Sequence, residues 1–167
     1  MTEGAKTGWL RIDRQDLIHA VRTAIAAVAS LLIARLCRLP EAYWAAIATI
    51  IAMQSTVGAS FTICRDRFIG SALGAATGAV LSTYTGANLP AFGAGVLALG
   101  LICPAIRVNR PAYHYAGITL IIVMMIAHTQ SPWIVALHRF IEISIGLAVG
   151  LLLTAIWPEP TPEEAKL

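Results

Sequence analysis

The sequence has few charged residues, and this scarcity indicates which solvent the protein meets. Only 13% of its 167 residues are charged, whereas 57% are apolar and the mean hydropathy is +0.73. Soluble domains carry about 25% charged residues. The composition therefore excludes a soluble enzyme, a disulfide-rich extracellular domain and a disordered chain, and it predicts an integral membrane protein surrounded by the lipid bilayer.

Cysteine is also scarce, and the residue patterns of metal sites and catalytic centres are missing. The three cysteines, Cys37, Cys64 and Cys103, form no CxxC pair, so we interpret them as packing residues. The four histidines show no HxxH or HExxH spacing, and we expect no metal and no other cofactor. No nucleophile stands beside a base and no glycine-rich phosphate loop occurs, so we expect no enzyme activity.

The charges that are present lie at the borders of long apolar stretches. No charged residue occurs in 42–64, 68–106 or 111–138, and each stretch exceeds the roughly 20 residues of a membrane-crossing helix. The net charge of +3 is therefore a sign of membrane topology, and we expect no nucleic-acid partner.

These stretches predict six transmembrane helices. Proline and a carboxylate suit the first turn of a helix, so Pro40 and Glu41 mark the start of the second one. A turn from Gly86 to Pro90 divides the longest stretch in two. The predicted helices are 19–36, 40–58, 68–85, 91–106, 112–128 and approximately 133–157. They leave an N-terminal segment, 1–18, and a tail rich in proline and glutamate, 158–167, which we expect to be disordered.

The basic residues are distributed unequally between the two sides of this arrangement. Nine lie on the side of the termini and three on the other side, and the excess predicts that both termini are cytoplasmic. The nine are Lys6, Arg11, Arg14, Arg22, Arg65, Arg67, Arg107, Arg110 and Lys166, and the three are Arg35, Arg38 and Arg139.

The two halves of the sequence resemble each other at an offset of 72 residues. The offset superimposes Arg35 on Arg107, Arg38 on Arg110, Arg67 to Ile69 on Arg139 to Ile141, Gly74 on Gly146, and Gly78 on Gly150. Each half holds three predicted helices, so we predict two inverted repeats, at about 19–87 and 90–157. Such repeats are frequent in secondary transporters, whose ligand path lies between the halves. The alternative is that the duplication only records how the fold arose.

Glycines recur at four-residue spacing in the third and sixth predicted helices. They are Gly70, Gly74 and Gly78, followed by Gly146 and Gly150. Such glycines let another backbone approach closely. We favour packing within one chain, with a dimer contact or a substrate groove as the alternatives. The tryptophans and tyrosines near the predicted helix ends, Trp44 and Tyr115 among them, are interpreted as aromatic belts at the membrane surface.

Two arginines begin these glycine-bearing helices and are the candidates for anion binding. A guanidinium can hold a carboxylate or a phosphate with two hydrogen bonds. For Arg67, beside Arg65 and Asp66, we favour an anchor at the lipid headgroups. Arg139 lies on the side that is poor in positive charge, with Glu142 one helical turn away. This pair is either a structural ion pair or an anion site that opens when Glu142 is protonated.

Three short motifs carry a resemblance to a known family. They are PEAYWAAI at 40–47, followed by Gln54 and Gly58; RFIGSALGA at 67–75; and RFIE at 139–142, followed by Gly146. In order and spacing the sequence resembles the fusaric acid resistance protein-like family of integral membrane transporters, over about residues 19–157. The resemblance implies export of aromatic carboxylic acids. The related plant aluminium-activated malate transporters are dimeric six-helix anion channels.

Together these observations predict an all-helical inner-membrane protein that acts as a homodimer and exports organic anions. Arg139, Glu142 and Arg67 are the predicted substrate-binding residues, and a periplasmic adaptor is a candidate partner. A passive anion channel and a non-transporting accessory membrane subunit are the alternatives.

Overall fold

The described part of the chain is entirely helical. The computed structural model describes residues 14–53, 57–126 and 130–157, which form six α-helices and no β-strand. The helices are α1 (Arg14–Leu36), α2 (Tyr43–Ala52), α3 (Val57–Thr85), α4 (Leu89–Ala105), α5 (Arg110–Met125) and α6 (Pro132–Ile156). The all-helical prediction is confirmed. Gln54, His128 and the tail expected to be disordered, 158–167, lie outside the described residues.

The second helix differs most from its predicted range, 40–58. Residues 40–42 form turns and α2 comprises only 10 residues, because Met53 adopts an extended backbone (φ −68°, ψ 109°). At about 1.5 Å per residue α2 is roughly 15 Å long, half the thickness of a bilayer core. In contrast, α3 begins at Val57. Arg65, Asp66 and Arg67 therefore lie inside a helix and not in the predicted loop.

Two helices satisfy the length and composition of a membrane span. These are α1, with 23 residues, and α6, with 25 residues. Among the described residues, α2 and α4 are shorter apolar helices, and α3 carries three charged residues in its first half. The described residues thus support two crossings by length and composition, and six crossings stay a prediction.

The predicted break between the third and fourth helices is confirmed. Gly86 has a positive φ of 71°, which glycine adopts without steric strain. The Asn88 side chain caps α4 by accepting a hydrogen bond from the Ala91 N–H at 2.8 Å. Pro90 follows in the first turn, where its missing N–H costs no helical hydrogen bond.

The glycines of α3 and α6 bring helix backbones into close contact within the chain. A Cβ added at Gly70 or Gly74 would collide with the backbone carbonyl of Ala112 or Ala116 on α5. A Cβ at Gly146 would collide with the Ala45 carbonyl on α2. Thus α3 lies against α5, and α6 lies against α2, through surfaces that have no side chain between the backbones. These surfaces are covered within one chain.

The packing interpretation of the cysteines is correct for two of the three. Cys64 and Cys103 are buried, whereas Cys37 is exposed just after the last turn of α1. Cys64 contacts the Leu147 carbonyl on α6 through its sulfur, at 3.8 Å. The interpretation is wrong for Cys37, because no element in the described part of the chain covers the end of α1 at this point.

Candidate functional site: two buried arginines

Arg139 lies in a buried network of charged side chains where α6 meets the turn between α1 and α2. Its side chain is 2% exposed and that of Glu142 is 0% exposed. Nη1 of Arg139 donates a hydrogen bond to Oε2 of Glu142 at 3.0 Å, and Nη2 donates to Oε2 of Glu41. The backbone N–H of Glu41 donates to the other oxygen of Glu142 at 3.0 Å. Both terminal nitrogens of Arg139 thus bind carboxylates from different parts of the chain.

Glu41 is held by further donors from the start of α2. Its Oε2 accepts hydrogen bonds from the Tyr43 hydroxyl at 2.5 Å and from Nε1 of Trp44 at 3.1 Å. The guanidinium carbon of Arg139 also lies 4.8 Å from the centre of the Trp44 ring, a cation–π distance. When ionised, Arg139, Glu41 and Glu142 have a net charge of −1 in a largely buried place.

Arg67 is as buried as Arg139 but has different surroundings. Its side chain is 4% exposed, and its guanidinium carbon lies 5.1 Å from the centre of the Tyr115 ring on α5. Among the described residues, no carboxylate forms an ion pair with Arg67, and its Nε has no hydrogen-bond partner. Its neighbour Asp66 instead accepts two hydrogen bonds from Nδ2 of Asn109, at 3.0 and 3.2 Å.

The structure therefore separates the three predicted substrate-binding residues. Arg139 and Glu142 are in contact, as expected for residues three apart on one helix. Arg67 lies elsewhere, in the interface between α3 and α5. A headgroup anchor would extend into the lipid surface, whereas Arg67 is covered by protein. That interpretation of Arg67 does not fit its burial.

Sequence reasoning missed the second carboxylate and both aromatic partners. Glu41 is 98 residues from Arg139 in sequence, and its place before an apolar stretch indicated only a helix start. Trp44 and Tyr115 were interpreted as belt residues, yet each lies over a buried guanidinium. The alignment of the halves offered a signal for the aromatic partners. It places Tyr43, the neighbour of Trp44, on Tyr115, and so indicates an aromatic residue near the start of the second helix in each half.

An apolar groove runs beside α3 on its α6 side. It has a volume of about 500 Å³, and Arg65 is the one charged residue among the described residues that line it. The lining residues are Phe61, Cys64, Arg65, Phe68, Ile69, Ser144, Leu147, Ala148 and Leu151. The Phe68 ring packs on Phe140 with a centroid distance of 4.8 Å. The groove suits an apolar ligand that carries one negative charge.

Comparison with known proteins relates the whole helical region to one family. The sequence profile described as fusaric acid resistance protein-like matches residues 25–153. The uncharacterized transporter YdhK of Escherichia coli K12 is 28% identical over 95% of this chain and 25% of its own length. The inner membrane protein YeeA of the same strain is 23% identical over 86% of this chain and 41% of its own length. No solved structure gives a significant match.

The chain thus spans between a quarter and two fifths of the length of these curated relatives. YdhK is named as a transporter and YeeA as an inner membrane protein. Because the match extends over most of the sequence, through α1 to α6, this chain belongs to the fusaric acid resistance protein-like family.

Proposed function

We propose that this protein moves organic anions across the inner membrane and that Arg67 holds the anion. The observation that carries the proposal is the burial of the Arg67 guanidinium without an ionic partner among the described residues. A buried charge is costly unless an opposite charge or hydrogen bonds compensate it. An anionic substrate supplies both, and a guanidinium binds a carboxylate with matched geometry.

Arg139 is the weaker candidate for the same role. Both of its terminal nitrogens already bind carboxylates, those of Glu41 and Glu142, so a substrate anion would have to displace one of them. We assign this cluster to structure: it joins α6 to the turn before α2. Of the two interpretations of the Arg139 and Glu142 pair, the geometry favours the ion pair.

The apolar groove beside α3 favours an aromatic substrate. Phe61 and Phe68 supply aromatic surface, and Arg65 supplies a positive charge at the same groove, which lies on the α6 side of α3 and is therefore a second contact for the substrate beside the Arg67 site on the α5 side. An aromatic carboxylic acid has both an apolar ring and a charge, so it fits a site of this chemistry better than a small aliphatic dicarboxylate. The expectation from the family resemblance is the same.

The helix contacts support an architecture of two inverted repeats. Exchange of α1, α2 and α3 with α4, α5 and α6 converts the pair α3 and α6 into itself and every other helix pair in contact into a second pair in contact. Arg38 and Arg107, each two residues after the end of α1 or α4, also share a positive φ, 55° and 56°, so the two turns correspond in structure at an offset of 69 residues, three fewer than in the sequence alignment. In such a fold the ligand path runs between the halves, where Arg67 contacts α5.

We propose that both termini are cytoplasmic. When the four arginines in helix interiors, Arg22, Arg65, Arg67 and Arg139, are left out and those at helix ends are kept, six basic residues remain against two. A cysteine replacing the exposed Ala87, in a background without native cysteines, is expected to react with an impermeant thiol reagent in intact cells. Labelling only after lysis would contradict this orientation. Ala87 is preferred to Asn88, because Asn88 caps α4.

A homodimer is also proposed, because six helices with α2 so short enclose little space for a path. The glycine surfaces are used within the chain, so a dimer must form through other residues. Mass measurement of the detergent-stripped protein tests it, and a monomer that still transports would contradict it. A periplasmic adaptor stays a proposed partner of the exporter.

The transport proposal is tested with purified protein in liposomes. Radiolabelled phthalate and succinate are suitable probes, because both are dicarboxylates of low membrane permeability and only phthalate has an aromatic ring. We expect phthalate flux well above that of empty liposomes, a smaller succinate flux, and accumulation of phthalate against its gradient when a proton gradient is imposed.

The rival functions give different results in the same assay. Flux of both anions that only follows their own gradients would overturn coupled export in favour of a passive channel. Flux equal to that of empty liposomes would overturn transport by this chain and would favour an accessory subunit.

A further inference from the structure

A second groove, separate from both arginine sites, lies where α4 ends and α5 begins. Its volume is about 550 Å³. Its lining combines apolar residues of α4 with three side chains that can donate hydrogen bonds. The lining residues are Gly100, Cys103, Pro104, Val108, Arg110, Tyr113 and His114.

The local backbone keeps this groove open. Gly100 has no side chain, and a Cβ added there would meet the Tyr113 ring at 3.6 Å. The turn after α4 is closed by a hydrogen bond from the Val108 N–H to the Cys103 carbonyl, at 3.0 Å. This turn returns the chain beside α4, so that Arg110 and α4 line the same groove.

The charge of the groove is positive. Arg110 and His114 are four residues apart on α5 and therefore lie on one face, with the Tyr113 hydroxyl between them in sequence. Arg107 is exposed in the preceding turn. None of the residues in the described lining is acidic. The nearby carboxylate of Asp66 is bound by Asn109.

The surface of α4 beyond the groove is apolar and exposed. Leu97 and Leu101, one helical turn apart, are 65% and 67% exposed, and Ile102 is 41% exposed. A positive pocket that continues into an exposed apolar helix face matches a molecule with an anionic head and a hydrocarbon chain. Basic pockets between helices are known positions for anionic lipid headgroups.

We infer that this groove binds one anionic phospholipid, with its phosphate at Arg110, His114 and Tyr113 and an acyl chain along α4. The corresponding turn of the first half lacks these features. There the Leu39 N–H bonds to the Ala34 carbonyl in the same way, at 3.1 Å, but Leu31 and Leu39 pack against the helix core and the acidic Glu41 follows. A site is therefore expected at one turn only.

Native mass spectrometry of the full chain in mild detergent tests this inference, with phosphatidylglycerol and phosphatidylcholine supplied in equal amounts. We expect one phosphatidylglycerol to stay bound at collision energies that remove phosphatidylcholine. The Arg110→Gln and His114→Gln double variant should lower its retention about tenfold or more, because charge-assisted hydrogen bonds are lost. Arg38→Gln, at the corresponding turn, is the matched control and should retain the wild-type level.

Gly100→Leu is a second variant that fills the groove and leaves its charge unchanged. It should also reduce retention, and it keeps the inference testable if the double variant does not fold. Equal retention of the two lipids, or wild-type retention in both variants, would overturn the inference. Displacement of the lipid by millimolar inorganic phosphate would likewise overturn it, since it would show a site for a soluble anion.

Discussion

The two buried arginines occupy similar positions in the two halves of the chain and differ in what surrounds them. Arg139 contacts an indole ring, and its two terminal nitrogens donate hydrogen bonds to two carboxylates. Arg67 has an aromatic ring at 5.1 Å and no ionic partner among the described residues. The alignment of the halves accounts for the difference, because the position of Glu142 corresponds to Gly70 and that of Glu41 to Tyr113.

Under the proposed repeat architecture, this comparison illustrates how two related halves can divide two tasks. In one half the acidic residues neutralise the arginine and join helix to turn. In the other half Gly70 stands at the position of the acid, which lets α5 approach and leaves the buried guanidinium without an ionic partner among the described residues. A similar backbone thus gives one half a structural role and the other a proposed binding role.

The largest expected effect is on stability at Arg139. Arg139→Gln leaves Glu142, which is fully buried, without its arginine, and breaking a buried ion pair costs about 3–5 kcal/mol. Glu142→Gln should cost much less, because Arg139 keeps Glu41 and the cluster becomes neutral. The double variant should lie between the two, since Glu41 is 23% exposed and keeps Tyr43 and Trp44.

Denaturant unfolding in detergent, followed by circular dichroism, measures this order. Equal losses for Arg139→Gln and Glu142→Gln would contradict the assignment of the cluster to structure. If the double variant is stable but no longer transports phthalate, Arg139 would be an anion-binding residue rather than a structural one.

Substitution of Arg67 should change transport strongly and stability little, the opposite of what is expected at Arg139. Arg67→Gln removes a buried charge that lacks an ionic partner in the described residues, so stability should be unchanged or higher. Phthalate flux should fall about 100-fold, because a charge-assisted contact to the substrate contributes roughly 1.5–3 kcal/mol. Arg67→Lys should restore part of the flux, since it keeps the charge and loses the planar fork. A stable Arg67→Gln variant with normal flux would refute the proposed site.

The local features of the fold could be predicted from the sequence. Gly86, Asn88 and Pro90 each restrict or permit a backbone conformation by themselves, so the break before α4 was found within a few residues. The end of α2 at Met53 lies before the predicted end near Gly58, because the uncharged stretch 42–64 was interpreted as continuous and the polar residues Gln54, Ser55 and Thr56 inside it were not weighed as a turn signal.

The candidate site was predicted only in part, since it depends on contacts between distant residues. Glu142 is one turn from Arg139 and was identified, whereas Glu41 comes from 98 residues away. The burial of Arg67 likewise depends on α5. An alignment of the halves indicates which positions correspond, and only the fold shows which side chains meet.

A smaller effect tests whether the two halves pack alike. Alanine at Gly74 or Gly146 would place a Cβ against a backbone carbonyl of α5 or α2, and such overpacking costs about 1–3 kcal/mol. Gly93→Ala is the control, because nothing lies within 4 Å of its added Cβ; it should stabilise α4 by up to about 1 kcal/mol. If the losses of unfolding free energy caused by Gly74→Ala and Gly146→Ala differ by more than the width of this range, the two halves pack differently.

The smallest effect concerns the two turns that follow α1 and α4. Arg38 and Arg107 have φ values of 55° and 56°, a left-handed conformation that costs a non-glycine residue about 1–2 kcal/mol. Glycine removes this strain but loses about 0.5–1 kcal/mol of conformational entropy on folding, so Arg38→Gly and Arg107→Gly should each stabilise the protein by roughly 0.5 kcal/mol. Arg38→Ala and Arg107→Ala keep the strain and remove the charge, and they isolate the backbone contribution.

Because the turns share φ and the same closing hydrogen bond, the increase in unfolding free energy from alanine to glycine should be equal at the two positions in unfolding experiments. A gain at one turn only would mean that the halves differ in backbone as well as in charge, and the different surroundings of Arg67 and Arg139 would then not be a matter of side chains alone.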